Sequence, residues 1–101
     1  GKKVAYITDG GMPLISDPGF KLVRACQVEN LPYTVLPGAS APLMALCLSG
    51  FSPDRFYFSG FLPPKTTARS SALEALKNMT VTLIFFESPK RLVSFLKDAQ
   101  K

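Results

Sequence analysis

The chain has 101 residues, the length of one ordinary domain, and its 47% hydrophobic and 19% charged residues exclude a disordered polyelectrolyte. No apolar run approaches the roughly 20 residues of a membrane-spanning helix, and no signal-peptide pattern is visible. The net charge of +5 is uneven: residues 1–50 carry four basic and three acidic side chains, residues 51–101 eight and four, so the second half suits a phosphate-rich partner or a plain solvated surface.

In chain order, the apolar run Val4 to Ile7 reads as a buried strand that ends in Asp9-Gly10-Gly11. Glycines directly after a strand let a ligand approach the backbone, and ligands of open α/β sheets lie at the carboxyl ends of strands. The loop is therefore a candidate ligand site, although Gly-Gly and Asp17-Pro18-Gly19 are also ordinary turn punctuation. Neither G-x-G-x-x-G nor a Walker pattern is present.

Apolar positions 20, 22, 23, 25, 26 and 28 predict a helix, with Asp17 as a plausible N-cap and Pro18 at the first helical position. Glu29-Asn30 closes it, and Tyr33 to Leu36 reads as a second strand, giving β-α-β with parallel strands and a right-handed crossover. Pro37-Gly38-Ala39 turns into a helix from Ala41 to Leu48. Ser40 reads first as its cap, and the almost wholly apolar sequence predicts burial on most sides. Cys26 and Cys47 lack metal-type spacing and read as free buried thiols of a reducing cytoplasm. Histidine is absent, so this segment supplies neither a His base nor a His-ligated metal.

Phe51-Ser52-Pro53-Asp54 looks like a boundary. An aromatic strand from Arg55 to Leu62 follows, then a helix from Thr67 to Asn78 with Leu73 and Leu76 inward and Arg69 and Lys77 outward. Val81 to Phe86 reads as another strand, ending in Glu87-Ser88-Pro89. The last helix spans Lys90 to Lys101 and is expected to bury Leu92, Val93, Phe95 and Leu96. A start at Gly1 directly before a strand and an end inside a helix suggest an excised piece of a longer protein.

Thr8 to Arg24, Leu36-Pro37-Gly38-Ala39-Ser40-Ala41, Ser52 to Phe56, Ser59 to Pro63 and Phe85 to Leu92 together resemble the tetrapyrrole methylase superfamily, in its branch of small-subunit rRNA 2′-O-cytidine methyltransferases. The resemblance covers essentially the whole chain. It implies a tetrapyrrole-methylase-like α/β fold. Residues 1–52 would be the second half of an N-terminal parallel α/β domain, and residues 53–101 the first half of a mixed-sheet α/β C-terminal domain.

It also implies a cytoplasmic homodimer with no membrane attachment, holding S-adenosylmethionine in the cleft between domains and acting on 16S rRNA of the small ribosomal subunit. The residues matching the superfamily's cofactor contacts are Gly10, Gly11, Met12, Ile15, Ser40, Ala41 and Phe86. Asp9 and Glu87, at two strand ends, are the candidate catalytic carboxylates, and loop or cap roles are the plainer alternative. Arg55, Lys65, Arg69, Lys77, Lys90 and Arg91 are the basic residues expected to face RNA. Phe61 reads either as a core residue or as a platform for a splayed base.

Three departures stand out. Gly10-Gly11-Met12 replaces a usual Ala-Gly-Thr, Ala39 a common proline, and Lys90 a frequent histidine. A sibling enzyme acting on a tetrapyrrole or a protein side chain, and a non-catalytic interaction fragment, are the alternative functions. The chemistry of methyl transfer calls for no metal.

Overall fold

The computed structural model describes residues 2–7, 10–15 and 18–100. Two compact units are present, Gly1–Met44 and Ala45–Lys101.

In the first unit, helix α1 spans Phe20–Val28 as its period predicts. Gly19 takes the N-cap position, without a side-chain cap, in place of the expected Asp17. Asp17 itself lies outside the described residues. The helix closes through Leu31 N–H to Cys26 O (2.8 Å) and Asn30 N–H to Gln27 O (3.3 Å), with Asn30 left-handed at φ 54°. This is a Schellman closure in which Asn takes the place usually held by Gly.

The two strands expected to flank α1 are not formed. Residues 4–7 and 33–36 carry no ladder bonds, and Val4 and Ile7 are 91% and 86% exposed. A strand exists only where a neighbour accepts and donates along it, and the described residues supply none here. The second segment is tied to α1 by a side-chain bond, Gln27 Nε2 to Tyr33 Oη at 2.9 Å.

Helix α2 spans Ala41–Ser49, again at the predicted position. Its apolar side chains are mostly not covered: Leu46 is buried and Leu48 is 81% exposed. Burial needs an apposed surface as well as an apolar sequence, and most faces of α2 meet none among the described residues.

The second unit is a β-α-β-α arrangement: β1 (Phe56–Phe61), α3 (Thr66–Leu76), β2 (Thr82–Phe86) and α4 (Leu92–Ala99). β1 and β2 pair in parallel, from Phe56 with Thr82 to Phe61 with Phe86, and α3 packs on α4. The register slips between Phe58 and Gly60. Gly60 sits there at φ 70°, a left-handed value that suits a glycine at a bulge. Leu46, Leu62, Ile84 and Phe95 form the core, and Phe85 packs against Phe95 with ring centroids 5.5 Å apart. Of the residues expected to be buried on α4, only Phe95 is; Leu92, Val93 and Leu96 are exposed. Cys26 is half-buried and Cys47 exposed, and both are free thiols.

Candidate functional site

In the first unit two loops meet through their backbones. Met12 N–H donates to Ala39 O at 2.7 Å, and Gly38 N–H donates to the Met12 thioether at 3.1 Å. Gly11 makes the approach possible. A Cβ there would lie 2.7 Å from Ala39 O, and its φ of 83° is unfavourable for any side chain. Ser40, next along, caps α2 through its Oγ, which accepts from Leu43 N–H at 3.4 Å.

The structure thus brings Gly11 and Met12 against Gly38-Ala39, immediately before Ser40 and Ala41. Gly10 faces open space, since a Cβ there would meet nothing within 4 Å. Leu14 holds φ 75° in the same loop, costing about 1–2 kcal/mol for a residue with a side chain. Ile15 is exposed beside it. Asp9 lies outside the described residues.

In the second unit the parallel pairing puts the segments after β1 and β2 on one sheet edge. Phe61 is 56% exposed and meets Phe86 edge-to-face at 5.5 Å, so it is not a core residue. Glu87 follows, its side chain almost wholly covered. Its Oε1 accepts from Ser88 N–H at 2.7 Å and from Arg91 Nε at 3.0 Å. The Ser88 N–H holds the Glu87 carboxyl below its ordinary range; burial opposes this, and Arg91 and then Arg69 reinforce it. The neighbouring Ser88 hydroxyl is buried without a hydrogen-bond partner. Ser88 and Gly38 were not singled out from the sequence, because a hydroxyl without a partner and an N–H on a thioether leave no pattern in it.

The expected basic residues do not gather in one place. Lys65, Lys90 and Arg91 are exposed on the carboxyl edge of the sheet. Arg55 precedes β1, where Thr82 N–H donates to its carbonyl, about 17 Å of strand away from that edge. Arg55 lines a shallow cavity of about 620 Å³ with Asp54, Thr80 and Thr82, at the amino ends of β1 and β2. Lys77 pairs with Glu74 on the surface.

Arg69, expected outward, is 1% exposed. It donates to Pro63 O (3.2 Å), Pro64 O (2.6 Å), Ser94 Oγ (3.1 Å) and Asp98 Oδ2 (3.3 Å), and it lies 5.9 Å from the Phe95 ring centroid. A guanidinium so buried, with four of its five N–H donors engaged, is not available to RNA. Among the described residues there is no cluster of three metal-ligating side chains, and no helix is long and apolar enough to cross a membrane.

A helix capped by Ser40 after glycine-bearing loops, and a parallel β-α-β unit with its loops on one carboxyl edge, define an α/β protein. The profile of the tetrapyrrole (corrin/porphyrin) methylases matches residues 1–101, and the chain belongs to that family. Among curated relatives, it is 50% identical over 100 residues to the ribosomal RNA small subunit methyltransferase I of Haemophilus influenzae, covering 99% of this chain and 35% of that protein. It is 48% identical to the protein of the same name from Pasteurella multocida, covering 100% and 36%. To that of Thermotoga maritima it is 47% identical, covering 97% and 44%. The chain therefore spans about a third to under a half of these relatives' length.

Proposed function

We propose that the chain is part of an S-adenosylmethionine-dependent methyltransferase that modifies the ribose 2′-hydroxyl of a cytidine in 16S rRNA. The observation that carries this reading is the identity of about one residue in two, along nearly the whole chain, to proteins named for small-subunit rRNA methylation. We place the domain junction of the whole protein near residues 52/53, and we read the protein as a cytoplasmic homodimer.

The loops fit a cofactor with polar ends and an apolar ring. Gly10 leaves its backbone open on one side, Gly11 and Met12 are fixed against Ala39, and Ile15 exposes an apolar side chain. Gly10, Gly11, Met12, Ile15, Ser40 and Ala41 would hold the cofactor, with Phe86 as a further contact. When bound, the cofactor supplies an electrophilic methyl group on a sulfonium.

The chain's own contribution is alignment, which can supply several kcal/mol towards such a displacement. The Met12–Ala39 bond keeps two loops in one geometry before the ligand arrives. A carboxylate held ionised by Ser88 N–H and Arg91 is a weak proton acceptor near neutrality. Glu87 therefore acts mainly as the brace of residues 87–91, and Asp9 stands as the other candidate base. Lys65, Lys90 and Arg91 supply phosphate contacts, and Phe61 a face on which a base can stack.

The test is transfer of a labelled methyl group from S-adenosylmethionine by the full-length protein to small ribosomal subunits, with the product mapped to the nucleotide. A 2′-O-methylated cytidine in 16S rRNA is expected. Label appearing in a tetrapyrrole or in ribosomal protein instead would refute the reading. Asp9→Asn and Glu87→Gln then rank the two carboxylates: a loss of rate at saturating cofactor with Asp9→Asn alone is expected.

A further inference from the structure

Pro63 and Pro64 lie between β1 and α3 and have no N–H, so neither contributes a backbone donor to this short loop. Their carbonyls are bound by Arg69, one turn into α3, through Nε to Pro63 O and Nη2 to Pro64 O. The other face of the same guanidinium is anchored in α4, on Ser94 and Asp98. Its charge is met by the Asp98 carboxylate and its plane lies over Phe95. One buried side chain thus ties the proline loop to the helix that follows Lys90 and Arg91.

We propose that Arg69 is a positioning residue for RNA: it sets the Leu62–Lys65 loop so that Lys65 meets the phosphate backbone together with Lys90 and Arg91. This rests on the functional reading above, which supplies RNA as the ligand. Arg69 touches no RNA itself. Its effect passes through the loop, because a lysine on a preset backbone loses less freedom on binding than one on a mobile backbone. A lysine in place of Arg69 would keep the charge and lose the planar fork that reaches two carbonyls, a serine and a carboxylate at once.

The test uses the full-length protein, a 16S rRNA fragment as probe, and binding measured across a salt series, alongside steady-state methylation. Lys65→Met is expected to weaken binding about three- to tenfold and to lower the salt slope by about one phosphate contact. Arg69→Lys is expected to weaken binding to the same extent, raising KM for RNA with kcat held within twofold and S-adenosylmethionine affinity unchanged. The double variant should bind no more weakly than either single one. Effects that multiply in the double variant, or wild-type RNA affinity in folded Arg69→Lys, overturn the proposal. If Arg69→Lys does not fold, Asp98→Asn, which loosens only the anchor, replaces it with the same expected and overturning results. A wild-type protein that binds no RNA refutes the functional reading and this inference with it.

Discussion

Truncating Asp98 to Ala leaves a guanidinium in the core of the second unit without its counter-charge. At 3.3 Å and an effective dielectric constant near 20, the Arg69–Asp98 attraction is about 5 kcal/mol before desolvation is subtracted. Breaking one side of a buried pair costs about 3–5 kcal/mol, because the remaining ion stays unpaired. Asp98→Ala and Arg69→Met are each expected in that range. The Arg69→Met/Asp98→Ala double variant removes both charges, and water can take over the carbonyls of the exposed Pro63 and Pro64. It is expected to cost only about 1–2 kcal/mol, less than either single change. Urea unfolding of the full-length protein followed by circular dichroism measures all four corners of the cycle. A single-variant cost under about 1 kcal/mol, or a double variant equal to the sum of the singles, would show that the two charges do not depend on each other.

Gly11→Ala drives a methyl group to 2.7 Å from Ala39 O at φ 83°, so the two loops must part; a loss of S-adenosylmethionine affinity of at least tenfold by calorimetry is expected. Glu87 has a lowered carboxyl pKa, so its contribution is present above the ordinary value of 4.5 and fades as pH falls below that towards its folded value. The stability gap between wild type and Glu87→Gln should accordingly close on acidification below 4.5, read from thermal unfolding across pH. Asn30→Gly places the residue best suited to φ 54° at the end of α1, and a gain of about 0.5–1 kcal/mol in urea unfolding is expected.

Much of the fold was legible because local rules governed it. The apolar period of Phe20 to Val28, the break at Asn30, the cap at Ser40 and the aromatic run before Pro63 placed α1, α2 and β1 within a residue or two. The Val4 to Ile7 and Tyr33 to Leu36 strands were misread because pattern shows which residues favour a ladder, not whether a partner strand is there to complete it. The Gly11 and Gly38 loops meet through Met12 and Ala39, a contact between distant turns that no local pattern announces. Arg69 was misplaced for a different reason. It lies on the polar face of its helix, and only Ser94 and Asp98, 25 and 29 residues later, make that position an interior. Phe61 was open to two readings, and the slip at Gly60 that leaves it exposed is a feature of strand pairing that composition does not reveal.

The side-by-side alignment of β1 with β2 also constrains the order of events during synthesis. A strand awaiting an antiparallel neighbour can fold back across a tight hairpin, whereas a parallel one waits for an entire crossover. Phe56 to Phe61 leaves the ribosome with its aromatic side chains unpaired. It finds its ladder only after residues 62–81 have emerged and α3 has swung Thr82 to Phe86 alongside. During that interval the nascent chain offers a sticky aromatic edge, which is when a chaperone would be needed most.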